Sequence, residues 1–362
     1  MSRRSEGSPA RRILVWQWGR RGAGPRIAVD LADGLKRLPE TEVLLCLSER
    51  AEILRSKNAP EAVVKVATYS SVRGLLKRLL TAPWLRRQLA RIVRDFRPDV
   101  AICAMPGPLD MLMTQVLHRA GVWTVVIVHD AQPHPGDGYP LQALLQRRLI
   151  RHADQIVTFS RHVADGLTSG PHAVSCPVTA LAHPPFIGGT GTVPFAHGGA
   201  PRILMFGRLL PYKGLDLLAE ALPHVCHAFE CRVVGHGPQS PELNRLATLE
   251  NVRVENRWVE EDALPALVEW ADIVVLPYRE ASQSGVGAMA IASGRYVVAT
   301  RVGGLVEQFA DDPQAVLCDP DPAAIAWALE TILEAPPPIR PRVDNAQEWE
   351  NLARDILANR NA

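Results

Sequence analysis

Ala271-Asp-Ile-Val-Val-Leu-Pro-Tyr-Arg-Glu-Ala-Ser-Gln-Ser-Gly-Val-Gly-Ala-Met-Ala-Ile-Ala-Ser-Gly-Arg-Tyr-Val-Val-Ala-Thr-Arg-Val-Gly-Gly304 reads as strand, turn, helix, strand. The apolar run closes at Pro277, which cannot donate to a sheet ladder. The loop Ser282-Gln-Ser-Gly285 leads into a helix of small residues. A second strand, Tyr296 to Thr300, ends in Gly303-Gly304. Two buried strands joined through a helix make a βαβ unit, and a run of such units makes a parallel sheet.

Upstream, the same pattern starts at Arg202-Ile-Leu-Met-Phe206 and continues with a helix from about Gly214 to Val225 and a strand at Glu230 to Val234. Between strand and helix lies Gly207-Arg-Leu-Leu-Pro-Tyr-Lys-Gly214. A Gly-rich turn at a helix N-terminus offers backbone N–H groups to an anion, and fixed cations neutralise it. Arg208 and Lys213, five residues apart, suit a diphosphate; a surface loop with two solvated charges is the plainer alternative. Ala182 to Ala200, rich in Pro and Gly, reads as a linker. Before it, a second α/β pattern opens with Arg12-Ile-Leu-Val-Trp-Gln-Trp18, a Gly-rich turn containing Gly22 and Gly24, and a helix from about Arg26 to Leu38. Further strands are expected at Glu42 to Leu47, Val100 to Met105 and Trp123 to His129. The predicted organisation is a disordered leader (1–12), an N-terminal Rossmann-like domain (13–185), a linker (186–200), a second Rossmann-like domain (201–340) and a C-terminal helix (341–362) able to cross back to the first domain.

Four motifs now stand in order: Phe206-Gly-Arg-Leu-Leu-Pro-Tyr-Lys-Gly214, Val233-Val-Gly-His-Gly-Pro238, Pro277-Tyr-Arg-Glu-Ala-Ser-Gln-Ser-Gly285 and Val302-Gly-Gly304. Together they resemble the donor half of family-4 glycosyltransferases of the GT-B fold, an α/β architecture of two Rossmann-like domains facing each other across a cleft. The resemblance is strong over residues 200–320 and looser before them. It implies that Arg208 and Lys213 counter the charge on a leaving nucleoside diphosphate. It further implies that backbone N–H groups around Ser284, Gly285 and Val286 hold the distal phosphate, beside Glu280, Ser282 and Gln283. Gly207, Gly235 and Gly237 would line the nucleotide, and Arg257 to Glu261 would pass near its base. Many members carry two Glu residues separated by seven others, the second serving the ribose. Those positions fall here on Ala281 and Met289, so the ribose-binding Glu is missing, and Glu280 lies one residue from the first. In the N-terminal half, Val126-Ile-Val-His-Asp-Ala-Gln-Pro-His-Pro-Gly136 places His129 at a strand end, resembling the family's active-site histidine beside the transferred sugar. His134, Gly22 and Gly24 are candidates for the acceptor side of the cleft.

The chain has 362 residues, 47% hydrophobic and 22% charged, with a formal net charge of +2. Those values suit a soluble two-domain protein and give no sign of a nucleic-acid partner. Six scattered cysteines without CxxC spacing read as reduced thiols. No signal-peptide core or membrane span stands out, so a cytoplasmic location is expected. The charge is uneven. Val72 to Arg97 holds Arg73, Lys77, Arg78, Arg86, Arg87, Arg91, Arg94 and Arg97 against Asp95 alone, interleaved with Leu75, Leu76, Leu79, Leu80, Trp84 and Leu85. Such a segment is either a helix pair with a solvated basic face or an interfacial contact with anionic membrane at the inner face. The expected activity is hexosyl transfer from a UDP- or GDP-sugar to a hydroxyl of a saccharide, lipid-linked in polysaccharide or glycolipid synthesis. The resemblance implies retention of configuration, no cofactor and no metal, since Arg208 and Lys213 take the place of a divalent ion. The rivals are a non-catalytic nucleotide- or glycan-binding GT-B module and a sugar-nucleotide epimerase, which would need carboxylates flanking the sugar beyond Asp130. A nicotinamide dehydrogenase is disfavoured, because no GxGxxG follows a strand with an acid about 20 residues on.

Overall fold

The computed structural model describes residues 10–69, 71–136, 142–169, 173–185, 192–339 and 344–358. Its first sheet is formed by β1 (Arg11–Gln17), β2 (Thr41–Ser48), β3 (Val63–Val66), β4 (Val100–Cys103), β5 (Trp123–Val128), β6 (Gln155–Thr158) and β7 (Val178–Ala180). The connecting helices are α1 (Ala23–Lys36), α2 (Val72–Leu80), α3 (Ala82–Phe96), α4 (Asp110–Arg119), α5 (Gln142–Ile150) and α6 (Arg161–Thr168). The second sheet is built from β8 (Arg202–Phe206), β9 (Glu230–Gly235), β10 (Val252–Asn256), β11 (Ile273–Leu276), β12 (Tyr296–Thr300) and β13 (Ala315–Cys318). It carries α7 (Leu215–Ala221), α8 (Pro241–Ala247), α9 (Leu264–Trp270), α10 (Gly285–Ala292), α11 (Leu305–Phe309) and α12 (Pro322–Glu334), and α13 (Asn345–Ala358) ends the described chain.

Both sheets are parallel, with orders β3-β2-β1-β4-β5-β6-β7 and β10-β9-β8-β11-β12-β13. Each reverses direction between its first and fourth strands. In an open parallel sheet the crevice at that reversal, beyond the strand C-termini, is where ligands sit. The central strands are apolar on both faces because helices cover both: Ile13, Val15, Ile102 and Ile127 point into one layer, Leu14, Trp16, Ala101 and Val126 into the other. The two-domain α/β architecture expected from the sequence is the one observed.

Arg11 and Arg12 correct the expected leader boundary, since both already belong to β1. Arg11 N donates to Glu40 O at 2.7 Å, and Arg12 N to Asp99 Oδ2 at 2.8 Å. Residues 1–9 of the leader, and 186–191 of the linker, lie outside the described residues. Strands β3, β6, β7, β10 and β13 escaped the sequence reading, being short or interrupted by charged residues.

Helix α13 packs on α1 of the first domain. Gly34 lies so close to it that a Cβ there would sit 2.5 Å from Trp349 O. The Trp349 indole is 4% exposed and donates to Pro185 O at 3.0 Å. Deleting this side chain leaves a large cavity between the helices. Trp349→Ala is therefore expected to destabilise the protein by about 3–5 kcal/mol, read as a shifted denaturant midpoint; an unchanged midpoint would mean that α13 does not anchor the first domain.

Candidate active site

The strand ends β8, β9 and β11 deliver the loops of the sequence motifs to one place. Gly207 follows β8 and Gly235 ends β9, and their backbones meet so closely that a Cβ on Gly235 would lie 1.6 Å from Gly207 O. On the other side of Gly207, Val286 Cγ2 is 3.8 Å from where a Cβ would be, which sets the β8 loop beside the N-terminus of α10. Arg208 Nη2 donates to the Tyr212 hydroxyl at 3.3 Å. Lys213 Nζ lies 3.6 Å from the centre of the Tyr278 ring, and Tyr278 Oη is 3.5 Å from Ser284 Oγ. Arg208, Lys213, Gly207, Ser284 and Val286, separated by up to 79 positions in sequence, thus share one corner of the second domain.

Ser284 is the N-cap of α10, its hydroxyl accepting from Gly287 N at 3.1 Å. Its own N–H is already used, donating to Gln308 Oε1 at 2.8 Å, while Gln308 Nε2 returns a bond to Ser284 O at 2.9 Å. Of the three N–H groups expected to face a phosphate, Ser284 is thus occupied. The N–H groups of Gly285 and Val286, in the open first turn, meet no acceptor among the described residues. A helix N-terminus flanked by two cations can bind an oxyanion. Gly237 stands against the same loop, its N–H bonded to Asn256 Oδ1 at 3.1 Å. Arg257 turns its guanidinium to Glu255, 2.8 Å away.

The first domain closes over this corner with the loop after β5. His129 is buried, with Nε2 3.0 Å from Ala104 O and Nδ1 3.2 Å from Gln283 Nε2. Facing a carbonyl, Nε2 must carry the proton, so Nδ1 accepts from the Gln283 amide. Burial lowers the pKa of His129 and keeps the ring neutral. Gln283 Oε1 is buried without a partner, an acceptor left open at the interface. His134 stacks on Tyr212 at 4.7 Å, with Nε2 3.3 Å from both Asp130 Oδ1 and Ser282 Oγ, and Nδ1 3.4 Å from Glu280 Oε2. Asp130 hydrogen-bonded to it raises the His134 pKa. Burial alone would raise the Asp130 pKa, but its bonds to His134 and Ser282 outweigh that and lower it.

Other contacts across the cleft were invisible in the sequence. Glu307 accepts from Arg161 N at 2.7 Å and His162 N at 2.8 Å, so the second domain caps α6 of the first. Arg26 on α1 reaches Glu261 at 3.2 Å, and Glu52 accepts the Trp258 indole N–H at 2.9 Å. Gly22 is the N-cap of α1, and Gly24 lies against Gln17. Met289, at the position of the missing Glu, is 6% exposed and packed into apolar surroundings, and Ala281 is 5% exposed. The ligand-type residues His227, Glu330 and Glu334 gather elsewhere, where Glu330 accepts from Cys226 N and His227 N.

The comparisons with known proteins agree with this layout. The model of Glycosyltransferase Family 4 matches residues 24–178, and that of Glycosyl transferases group 1 matches residues 200–335. The chain is a glycosyltransferase. Over 311 residues it is 27% identical to the GDP-mannose-dependent alpha-(1-6)-phosphatidylinositol monomannoside mannosyltransferase of Mycolicibacterium smegmatis, covering 77% of this chain and 79% of the relative. It is 28% identical over 195 residues to the GDP-mannose:glycolipid 4-beta-D-mannosyltransferase of Xanthomonas campestris pv. campestris, covering 52% and 53%. The sucrose-phosphate synthase of Thermosynechococcus elongatus shares its fold with a TM-score of 0.68 at 16% identity, over 97% of this glycosyltransferase and 98% of that chain. Among the described residues no helix of this glycosyltransferase is long and apolar enough to cross a membrane.

The His134 contacts are expected to make stability depend on pH. The folded chain holds the His134 proton more tightly than the unfolded one, so its contribution is complete below about pH 6.5 and fades as pH rises through the raised value. The stability gap between wild type and His134→Gln, measured by chemical denaturation, is expected to be larger at about pH 5.5 than at about pH 8.5. A gap that is constant or widens with pH would contradict the assigned contacts.

Proposed function

We propose that this glycosyltransferase moves a hexosyl unit from a UDP- or GDP-sugar to a hydroxyl of a lipid-linked saccharide at a membrane surface. The observation that carries the reading is the convergence of Arg208, Lys213 and the open first turn of α10 on one corner beneath His129. The bond from the anomeric carbon to the diphosphate breaks, a bond to the acceptor oxygen forms, and the hydroxyl proton leaves with the diphosphate or to solvent. Negative charge grows on the diphosphate oxygens, where Arg208, Lys213 and the Gly285 and Val286 N–H groups stabilise it. Two fixed cations make a divalent metal unnecessary in this reading. His129 faces the sugar, and the open Gln283 Oε1 accepts one of its hydroxyls when Nδ1 of His129 is released. Retention of configuration accords with the family-4 resemblance.

The lipid-linked acceptor is supported by the names of the mannosyltransferase relatives, which specify phosphatidylinositol monomannoside and glycolipid. A second support is the surface of α2 and α3, where Leu76, Leu79, Leu80 and Trp84 are 58%, 44%, 84% and 76% exposed among basic residues. Because Met289 cannot accept a ribose hydroxyl, a different group holds the ribose.

Arg208→Ala and Lys213→Ala are each expected to lower turnover by about 10²-fold, the effect of removing a preorganised charge at a leaving group. Circular dichroism should remain that of the wild type. Thermal shifts with UDP, GDP and ADP should identify the base, since a ligand of the native state raises the melting temperature. Full turnover in the Arg208→Ala/Lys213→Ala double variant would remove the diphosphate assignment. His129→Ala should lower turnover more than nucleotide affinity; equal losses would place it outside the sugar subsite.

A further inference from the structure

Helix α3 ends on an arginine in the left-handed region. Arg97 has φ 50° and ψ 61°, and its N–H closes the helix onto Val93 O at 2.8 Å. Glycine is the ordinary residue there, because a Cβ is strained in that conformation. An arginine there carries that strain, as Glu40 and Phe195 do elsewhere in the chain. The Arg97 side chain lines a groove of about 620 Å³ between α3 and α4, together with Arg86, Arg87, Arg94 and Arg119. Ala90, Val93, Val116 and Ala120 supply apolar lining, and no carboxylate lines the groove. Among the described residues Arg86, Arg87, Arg97 and Arg119 form no ion pair, and Arg94 meets only its exposed neighbour Asp95 at 3.5 Å. Arg86 donates from Nη2 to Gln115 at 2.5 Å, while its Nε is buried without a partner.

Helix dipoles account for part of this charge, since Arg94 and Arg119 lie in the last turns of α3 and α4. They do not account for Arg86 and Arg87, near the other end of α3. The groove is also not the donor site. Helices α3 and α4 run into β4 and β5, so their C-termini lie at the sheet edge opposite the loop of His129. Beside the groove, the exposed face of α3 carries Arg87, Arg91 and Trp84, and α2 continues it with Leu76, Leu79 and Leu80.

We propose that the groove binds the headgroup phosphate of an anionic phospholipid while Trp84 and the α2 leucines enter the acyl region beside it. This rests on the membrane reading above and adds headgroup recognition to a general attraction. Guanidinium groups match phosphate oxygens with paired N–H donors and keep their charge at any physiological pH. The apolar lining of Ala90, Val93, Val116 and Ala120 gives the lipid glycerol and acyl portion a surface beside those donors.

The test uses the full chain and two kinds of phosphatidylcholine vesicle brought to equal surface potential, one with phosphatidylglycerol and one with oleate, whose charge is a carboxylate. Wild type is expected to bind the phosphatidylglycerol vesicles about tenfold more tightly, a preference worth one decade of affinity. Arg94→Gln/Arg97→Gln/Arg119→Gln should bind those vesicles about 10²-fold more weakly, three cations each worth about fivefold, and show no preference. Its thermal shift with nucleoside diphosphate should match that of the wild type. Arg97→Gly guards against misfolding of the triple variant: it should raise the melting temperature by relieving strain and still reduce the preference. Leu80→Ser/Trp84→Ser should weaken binding to both vesicles alike. Equal wild-type binding to both vesicles would overturn the groove and leave a diffuse membrane attraction standing. A preference that survives in the triple variant would overturn it too. Stabilisation of wild type, but not the triple variant, by millimolar inorganic phosphate without any vesicle preference would assign the groove to a free anion and overturn the lipid. Binding to neither vesicle would refute this proposal and the membrane reading together, leaving the diphosphate site untouched.

Discussion

Gly207 and Gly235 stand at the ends of neighbouring strands, and the backbone of one fills the space where the other would carry a side chain. This contact sets the depth of the donor-side corner. It brings the β8 loop, with Arg208 and Lys213, against the first turn of α10, so that cations and backbone N–H groups address the same volume. A methyl group on Gly235 would push the two strand ends apart and separate the charges from the helix. Preorganisation of this kind matters because a dipole or cation stabilises developing charge only where it already stands.

Closure over that corner depends on polar contacts between single side chains. His129 and Gln283, His134 with Asp130, Ser282 and Glu280, and Glu307 at the N-terminus of α6 each tie one domain to the other. Such ties are individually modest, since each replaces bonds to water. Apolar contact accompanies them: α13 leaves the second domain and buries Trp349, Leu352 and Ile356 against the first, and Val268 and Met289 of the second domain belong to the same buried cluster. The chain therefore crosses between the domains twice, a natural arrangement for a hinge.

Charge is divided between two regions. The cleft uses a few cations among neutral and acidic groups, while the flank of α2 and α3 gathers arginines with exposed leucines and a tryptophan. A net charge of +2 conceals this division. The flank and the corner lie at different parts of the molecule, so the proposed attraction to a surface and the proposed stabilisation of a leaving group would use different residues.

The sequence by itself determined the alternation of apolar strands and helices, the restart of the pattern near residue 200, and the four motifs of the second half, because these are local: a buried strand must be apolar, and a tight strand-to-helix turn needs glycine at short spacing. Short strands such as β7 and β13 were illegible, since three or four residues carry too little periodicity. The partners of His134, the capping of α6 by Glu307, the occupation of the Ser284 N–H by Gln308 and the arginine groove were decided by tertiary structure alone. Each joins residues on different elements, in some cases on different domains. The distance between them is fixed by how the sheets and helices pack, a quantity that no stretch of sequence contains.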